Sequence, residues 1–253
     1  MNILNLLAKS SLHLIVVKPD NIEPVGFGSG CIVKYKSRYF LLSVAHVTDL
    51  EGLATCIETN LPTEGRGSQL YSVGAMSYYD EYKLLPSVDV STIKTIEELL
   101  DVNGKTLDIT FCEIKEQVEL LQPEWDFGGF KIEKGEKVLL NLEEAGEPEN
   151  GKLFGLCGRI RQDVTGAYIK SQPTLKLGLE YKGIRGREHV FLTPEIIKDA
   201  DDYRGCSGAP ILDEDGKLVA LASRILKGSR LLYGFSIDEC KRLLDWAMVT
   251  KLV

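Results

Sequence analysis

The chain carries, at residues 203–210, the stretch Tyr203-Arg204-Gly205-Cys206-Ser207-Gly208-Ala209-Pro210. A serine flanked by glycines, with a proline three residues later, is typical of a nucleophile held on a tight turn, because glycine tolerates the backbone angles that such turns require. A Gly-x-Ser-Gly sequence alone is weak evidence, since both residue types are common in loops. The significance of the stretch therefore depends on which residues accompany it elsewhere in the chain.

Two further side chains of catalytic type lie upstream of this serine. His46 ends one apolar run and Asp108 begins another. A histidine can accept the proton of a serine hydroxyl as it attacks a carbonyl carbon, and an aspartate can orient that histidine and stabilise its positive charge. We therefore take His46, Asp108 and Ser207 as candidate catalytic residues. Asp89 and Asp101 are rivals for the aspartate, but neither begins so clear an apolar strand.

The order of these residues separates three folds. The histidines of the chain, His13, His46 and His189, all precede Ser207. An α/β-hydrolase needs its catalytic histidine after the serine, so that fold is excluded. The subtilisin order needs an aspartate before the histidine, and for His46 only Asp20, in a turn-like sequence, is available. The order His, Asp, Ser is that of chymotrypsin.

Taken together, these motifs resemble the chymotrypsin-like (trypsin-like) serine peptidases of the compact, intracellular kind. The segments that carry the resemblance are residues 26–31, 42–46, 107–109 and 205–210. In that family a glycine-rich segment leads into the strand before the catalytic histidine. The resemblance implies an all-β fold of two six-stranded antiparallel β-barrels with a C-terminal α-helix. It also implies a serine endopeptidase that uses no cofactor.

The resemblance implies roles for residues around the serine as well. The backbone N–H groups of Gly205 and Ser207 would form the oxyanion hole. The primary substrate pocket would be formed by Asp201, Ser223, Arg224 and Ile225. A carboxylate at Asp201 would favour an arginine or lysine of the substrate. However, Asp201 also lies in a segment typical of a solvated acidic loop, and Arg224 would neutralise an acidic pocket. The sequence therefore leaves open whether the pocket prefers a basic side chain.

Cys206 departs from the secreted members of this family, which usually carry an aspartate at this position. That aspartate pairs with a newly cut N-terminal amine on activation, and a cysteine cannot form the same salt bridge. We therefore expect a peptidase that needs no N-terminal processing. Cys206 is also an alternative nucleophile, as in the cysteine-using viral relatives, although the motif favours Ser207.

The composition is typical of a globular protein and limits the partners. A chain of 253 residues is long enough to bury a sizeable core. Its contents of 44% hydrophobic and 26% charged residues are ordinary for such a protein. The formal net charge of -7 argues against nucleic acid and anionic membranes as partners. The N-terminal segment lacks the basic start of a signal peptide, and no apolar run is long enough to span a bilayer. We therefore expect a cytoplasmic protein that binds protein or peptide substrates.

Short apolar segments rich in β-branched residues predict strands through most of the chain. These segments are residues 12–18, 31–35, 39–44, 109–114, 137–142, 152–159, 167–170, 218–223 and 231–237. A glycine-rich turn is predicted at residues 64–68 and a short helix at 96–100. A connector near residues 117–129 divides the chain into a first barrel at 1–120, with His46 and Asp108, and a second at 121–253, with Ser207.

The C-terminal segment has a helical pattern. Ser236 followed by Glu239 has the form of a capping box. Apolar residues then recur at helical spacing and predict a stripe that packs on the core; they are Ile237, Cys240, Leu243, Leu244 and Ala247.

The cysteines and the remaining histidines are predicted to be structural. The six cysteines are widely spaced and several lie in strand-like segments, so we expect buried thiols rather than disulfides. No Cys-x-x-Cys or His-Glu-x-x-His motif occurs, so we expect no metal site. His13 and His189 are expected to pack within strands, with substrate contact as the alternative for His189.

Two other functions are compatible with the sequence. The chain could be a binding module that keeps this fold without catalysis, although the three intact candidate residues count against that interpretation. An esterase or acyl transferase would use the same residues, and peptide and ester substrates would distinguish it. Because no accessory domain follows the C-terminal helix in this sequence, we also expect a separate protein that activates the peptidase or delivers its substrate.

Overall fold

The structure, a computed structural model, describes residues 1–63, 68–82, 104–116, 118–165 and 168–251. The rival aspartates Asp89 and Asp101, the predicted helix at 96–100 and most of the predicted turn at 64–68 lie outside the described residues.

The described chain is built mainly of strands. The strands of the first half are β1 Leu12–Lys18, β2 Glu23–Tyr35, β3 Arg38–Ser43, β4 Ala54–Pro62, β5 Ser68–Gly74, β6 Ser77–Tyr82 and β7 Gly104–Glu113. The connecting segment contains two-residue strands, which are β8 Leu121–Gln122, β9 Trp125–Asp126, β10 Lys131–Ile132, β11 Gly135–Glu136 and β12 Leu140–Asn141. The strands of the second half are β13 Leu153–Thr165, β14 Tyr168–Arg185, β15 Glu188–Leu192, β16 Pro210–Asp213, β17 Leu218–Ile225 and β18 Leu231–Ser236. Within the described residues, the helices are α1 Ile3–Ser10, α2 Ala45–Thr48 and α3 Ile237–Val249, and Ala200–Asp202 forms a 3-10 turn.

The first half forms a sheet with the strand order β5-β4-β1-β2-β3-β7-β6, and β12 joins it by pairing in parallel with β2. Successive strands are antiparallel. The β2–β3 hairpin closes over Lys36 and Ser37, whose φ angles are 47° and 65°. Positive φ at both central residues is the geometry of the two-residue turn that matches strand twist. This hairpin directs β3 towards the candidate site.

The second half forms a closed barrel with the strand order β13-β14-β15-β18-β17-β16. Its six antiparallel strands confirm the predicted fold class, together with the first sheet and the C-terminal helix. The division of the chain at residue 120 stays a prediction.

Both terminal helices pack on the core. In α3 the buried residues are the predicted apolar stripe, so that stripe is confirmed as core contact. The helix begins after Ser236 as predicted, but the Ser236 hydroxyl donates to Glu147 at 3.3 Å and forms no cap hydrogen bond. Helix α1 was not predicted. It is capped by Asn2, whose Oδ1 accepts from the Asn5 N–H at 3.0 Å, and Leu7 is buried.

Most predicted strands are present, with one clear exception. Strand β1 has the predicted bounds, and the other predicted segments lie mainly within longer strands. Residues 137–142 were predicted as a strand but contribute only the two-residue β12. The reason is that Lys137 is half-buried and its Nζ donates to the carbonyls of Ala8 and Ser11 and to Gln122 Oε1, at 2.6–2.9 Å. This segment therefore follows the end of α1 instead of running along a sheet edge.

Within the described residues, no helix combines the length and the apolar character needed to cross a bilayer.

Candidate functional site

His46 lies on the short helix α2, immediately after β3. The apolar run that precedes it is buried because β3 is an interior strand between β2 and β7. Helix α2 is held against β7 by Thr48, whose hydroxyl lies 2.5 Å from that of Thr110. The His46 side chain remains 47% exposed. The sheet therefore fixes the backbone of His46 and leaves its imidazole open to a ligand.

Asp108 lies beside His46. The His46 Nδ1 is 2.9 Å from Asp108 Oδ1, and the His46 backbone N–H also donates to that oxygen at 3.3 Å. The pairing of Ser43 with Thr110 in neighbouring strands produces this proximity, since it places residue 108 near the end of β3. The structure thus brings together two of the three candidate catalytic residues, and it favours the Nδ1–H tautomer, which leaves Nε2 free to accept a proton.

Ser223 has a contact that the sequence did not predict. We expected it in the wall of the substrate pocket; it lines the cleft beside Ser207, and its hydroxyl also donates to Asp108 Oδ2 at 2.5 Å. Burial raises the pKa of Asp108, but the hydrogen bonds and charge of His46 and the Ser223 hydroxyl outweigh it, so the pKa lies below its ordinary value. The carboxylate is therefore ionised at neutral pH. No local sequence signal marked Ser223, because the two residues are 115 positions apart.

Ser207 lies on the turn between the 3-10 helix and β16. Its hydroxyl donates to the backbone carbonyl of Ser223 at 3.2 Å. No hydrogen bond joins Ser207 to His46 in the part of the chain that the structure describes, although both residues line the same two clefts. All three candidate residues are therefore assembled at one site, with the serine hydroxyl turned towards Ser223.

Two glycines make this turn possible. Gly205 has φ of 104° and Gly208 has φ of 86°, a region that favours glycine. A Cβ atom on Gly205 would overlap the Arg159 carbonyl and the Gln162 side chain, and one on Gly208 would overlap the Ser29 carbonyl. Both glycines are required by conformation and by space.

The backbone donors of the turn differ in their partners. The N–H groups of Cys206, Gly208 and Ala209 donate to backbone carbonyls. The N–H groups of Gly205 and Ser207 donate to no acceptor within the described residues. These two are the donors that the sequence suggested for an oxyanion hole, and they are available to bind a ligand oxygen.

The first cleft beside Ser207 has a volume of about 440 Å³. Its lining includes all four predicted pocket residues together with apolar neighbours, among them Tyr203, Cys206, Ala222 and Leu232. Asp201 is 63% exposed and lies 3.9 Å from Arg204. Arg224 pairs with Glu188 and stacks on Tyr233. The charged groups are thus placed at the rim, and apolar side chains form much of the wall.

A second cleft, of about 730 Å³, also borders the serine. It shares His46, Asp201, Arg204 and Ser207 with the first cleft. Its other lining residues are Val25, Gly26, Phe27, Val47, Leu50, Arg161, Gln162 and Gly205. An extended chain that passes Ser207 could therefore contact both clefts.

Cys206 and the other two histidines are buried. Burial raises the pKa of the Cys206 thiol to about 12, so it is protonated at neutral pH. All six cysteines are free and fall within the described residues; five of them are buried. His13 lies in β1 with Nδ1 2.9 Å from Glu58, and His189 lies in β15 with Nε2 3.1 Å from Glu147. Neither histidine lines a cleft beside Ser207.

No protein-family model matches the chain, and no curated protein sequence matches it either. Solved structures do match. Human heparin binding protein aligns with a TM-score of 0.56 at 12% identity, over 93% of this chain and 90% of that chain. The MamO protease domain from Magnetospirillum magneticum aligns with a TM-score of 0.49 at 11% identity, over 94% and 96% of the two chains. An HtrA-type protease, AlgW with a tripeptide, aligns with a TM-score of 0.47 at 14% identity, over 97% and 62%.

The likeness to heparin binding protein recurs in a second structure of that protein, again with a TM-score of 0.56. At these identities the comparisons show the fold. The chain has the chymotrypsin-like serine peptidase fold, as the sequence motifs predicted.

Proposed function

We propose that the chain is a serine endopeptidase that hydrolyses peptide bonds with His46, Asp108 and Ser207. The observation that carries this proposal is the 2.9 Å contact between His46 Nδ1 and Asp108 Oδ1. His46 lines the same cleft as Ser207. Asp108 on a strand and His46 on a helix are 62 positions apart in the chain but lie at hydrogen-bond distance. The ionised Asp108 carboxylate orients the His46 imidazole, which is exposed whereas the other two histidines are buried. A purely structural histidine has no need of this exposure.

The reaction begins when the Ser207 hydroxyl turns from the Ser223 carbonyl towards His46 Nε2. Its proton passes to Nε2 while Oγ forms a bond to the substrate carbonyl carbon. Asp108 stabilises the imidazolium that results. The proton then passes to the leaving amine as the C–N bond breaks, and water hydrolyses the acyl-enzyme by the same steps. Hydrogen bonds between catalytic groups often form only when the substrate is bound, which is consistent with the Ser207–Ser223 contact.

The negative oxygen of the tetrahedral intermediate is bound by the N–H groups of Gly205 and Ser207. In the part of the chain that the structure describes, neither group has an acceptor, so binding the oxyanion breaks no hydrogen bond seen there. Loss of one such donor typically costs on the order of 3 kcal/mol of transition-state stabilisation.

The first cleft binds the side chain that precedes the scissile bond. Asp201, Ser223, Arg224 and Ile225 all line it, but the exposed Asp201 carboxylate is paired with Arg204 near the rim. Because a buried charge in a pocket needs a desolvated partner, the apolar wall favours an apolar substrate side chain over lysine or arginine. Substrates are proteins or peptides in the cytoplasm, and a separate protein activates the enzyme or delivers them. We propose no nucleic-acid, membrane or cofactor partner.

The proposal is tested by labelling the purified protein with an alkyl fluorophosphonate, which reacts with activated serines. We expect the wild type to be labelled, and Ser207→Ala and His46→Ala to lose the label. The matched control is His13→Ala, which removes a buried histidine that lies outside both clefts. Cleavage of a peptide library by the wild type, with ester substrates in parallel, then separates a peptidase from an esterase. A folded wild-type protein that is neither labelled nor cleaves peptides would contradict the proposal.

A binding module with this fold is the second candidate. The observation in its favour is that the Ser207 hydroxyl bonds to Ser223 instead of His46. The name of heparin binding protein suggests a polyanion ligand for that neighbour, but the net charge of -7 argues against an anionic ligand here. A folded, unlabelled wild type would favour this candidate.

A further inference from the structure

Ser29 is a buried residue of β2 with two hydrogen bonds to the turn carrying Ser207 and a third to the end of β3. It is 1% exposed. Its hydroxyl donates to the Gly205 carbonyl at 2.7 Å, and its backbone N–H donates to the Ser207 carbonyl at 2.7 Å. Its own carbonyl accepts from the Ser43 hydroxyl at 2.8 Å. Ser43 is the last residue of β3, three positions before His46, so Ser29 links the strand of the histidine to the turn of the nucleophile.

These bonds fix two peptide groups of the turn at both ends. In the Gly205–Cys206 peptide, the carbonyl accepts from Ser29 and the N–H donates to the Tyr203 carbonyl at 2.9 Å. In the Ser207–Gly208 peptide, the carbonyl accepts from Ser29 and the N–H donates to the Ala222 carbonyl at 2.6 Å. Peptide groups are planar, so a group that is bonded at both its C=O and its N–H cannot rotate freely.

The peptide between Cys206 and Ser207 lies between these two fixed planes, and it carries the Ser207 N–H. The Gly205 N–H belongs to the Arg204–Gly205 peptide, which directly precedes the fixed Gly205–Cys206 peptide. Among the described residues, neither of these two N–H groups has an acceptor to hold it in place. Their direction is therefore set by the neighbouring peptides, and Ser29 is the residue that bonds to both of those peptides from the first sheet.

We propose that Ser29 is a positioning residue for the oxyanion hole, through its hydroxyl bond to the Gly205 carbonyl. The inference rests on the proposed function. Without the hydroxyl, the Gly205 carbonyl would be left without its donor in a buried place, which favours rotation of the peptide towards another donor. Such a rotation would carry the Gly205 and Ser207 N–H groups away from the substrate oxygen. The effect would appear in the chemical step, because Ser29 lines neither cleft beside Ser207.

The test compares Ser29→Ala with Ser11→Ala. Ser11 is a matched control because its buried hydroxyl also donates a 2.7 Å hydrogen bond to a backbone carbonyl of the second half, that of Cys157, but does so away from the turn. Labelling by an alkyl fluorophosphonate is followed at several probe concentrations, which separates the maximal labelling rate from the half-saturating concentration. Thermal melts measure the stability of each variant.

We expect Ser29→Ala to lower the maximal labelling rate at least about tenfold, with the half-saturating concentration within about threefold of the wild type, a smaller loss than deletion of an oxyanion donor. Ser11→Ala should label within about twofold of the wild type, although both variants lose comparable stability. If Ser29→Ala does not fold, Ser29→Cys, which keeps a weak donor of similar shape, should give an intermediate rate.

Equal maximal rates for the Ser29 and Ser11 variants would overturn the role of Ser29 while the proposed function stands. A wild type that is folded but not labelled would overturn the proposed function, and the role of Ser29 with it.

Discussion

The hydroxyl of Ser223, in the second barrel, donates a 2.5 Å hydrogen bond to the carboxylate of Asp108, in the first sheet. The other oxygen of that carboxylate faces His46, so Ser223 fixes the orientation of the group that orients the imidazole. The carbonyl of the same Ser223 accepts from the Ser207 hydroxyl. One residue of β17 therefore contacts both ends of the candidate catalytic set.

Replacement of Ser223 by alanine is expected to lower kcat/KM about tenfold. The carboxylate loses a charge-assisted hydrogen bond and gains freedom to turn, whereas the main-chain carbonyl of residue 223 is retained. Peptide hydrolysis by the wild type and by Ser223→Ala gives the comparison. Ser229→Ala is the control, since the Ser229 hydroxyl donates to the Leu226 carbonyl in its own loop and accepts from the N–H of Leu231, the first residue of β18. Equal activity of Ser223→Ala and the wild type would show that Asp108 is oriented without Ser223.

The lowered pKa of Asp108 predicts a particular pH dependence of stability. An unfolded aspartate has a pKa of about 3.9, and the folded value is lower. The ionised form is thus favoured by folding, so its contribution is fully present above about pH 4 and is lost as pH falls through the folded pKa. Urea unfolding of the wild type and Asp108→Asn should give a free-energy difference that is constant from about pH 7 to 5 and shrinks at lower pH.

The difference in unfolding free energy between wild type and Ser223→Ala should also shrink at low pH, but by less. The reason is that Ser223→Ala removes only one of the groups that lower the pKa of Asp108. A difference between wild type and Asp108→Asn that is the same at about pH 7 and pH 3 would be inconsistent with a stabilised carboxylate.

Cys206 is predicted to be dispensable for catalysis. Burial raises the pKa of its thiol to about 12, so almost no thiolate exists at neutral pH, and the thiolate is the nucleophilic form. We expect Cys206→Ala to keep fluorophosphonate labelling within about threefold of the wild type, with some loss of stability because the thiol packs against Gly158. Labelling at a single probe concentration is sufficient. Complete loss of labelling in folded Cys206→Ala protein would indicate Cys206, not Ser207, as the nucleophile.

Asp201 is predicted to have little influence on the choice of substrate. Its carboxylate is mostly exposed and lies near Arg204, where solvent screens its charge. The preference for apolar over basic residues before the scissile bond should therefore change by less than about threefold in Asp201→Asn. The comparison uses paired peptides with leucine or lysine at that position. Asp202→Asn, the neighbour that pairs with Arg161, is the control, and a selective loss of lysine cleavage in Asp201→Asn would establish a basic pocket.

The sequence predicted the elements whose signal is local. The apolar stripe of α3 depends on helical spacing within 13 residues, and it is the buried face of that helix. The bounds of β1 and the tight turn around Ser207 also follow from residue types that are adjacent in the chain. Helix α1 was not predicted, and the strand predicted at 137–142 was wrong, because the half-buried Lys137 binds the end of α1. A lysine in a sequence normally indicates a solvated position.

By itself, the sequence determined the fold class and the candidates His46, Asp108 and Ser207, because their order along the covalent chain is compatible with one arrangement of two barrels. Tertiary structure decided how they are connected. The contacts of Ser223 with Asp108, 115 residues apart, and of Ser29 with Gly205, 176 residues apart, exist only after the first sheet and the second barrel pack together. The exposure of the Asp201 side chain is likewise set by the tertiary structure. Hydrogen bonds and burial of this kind depend on distances between chain segments that residue order does not specify.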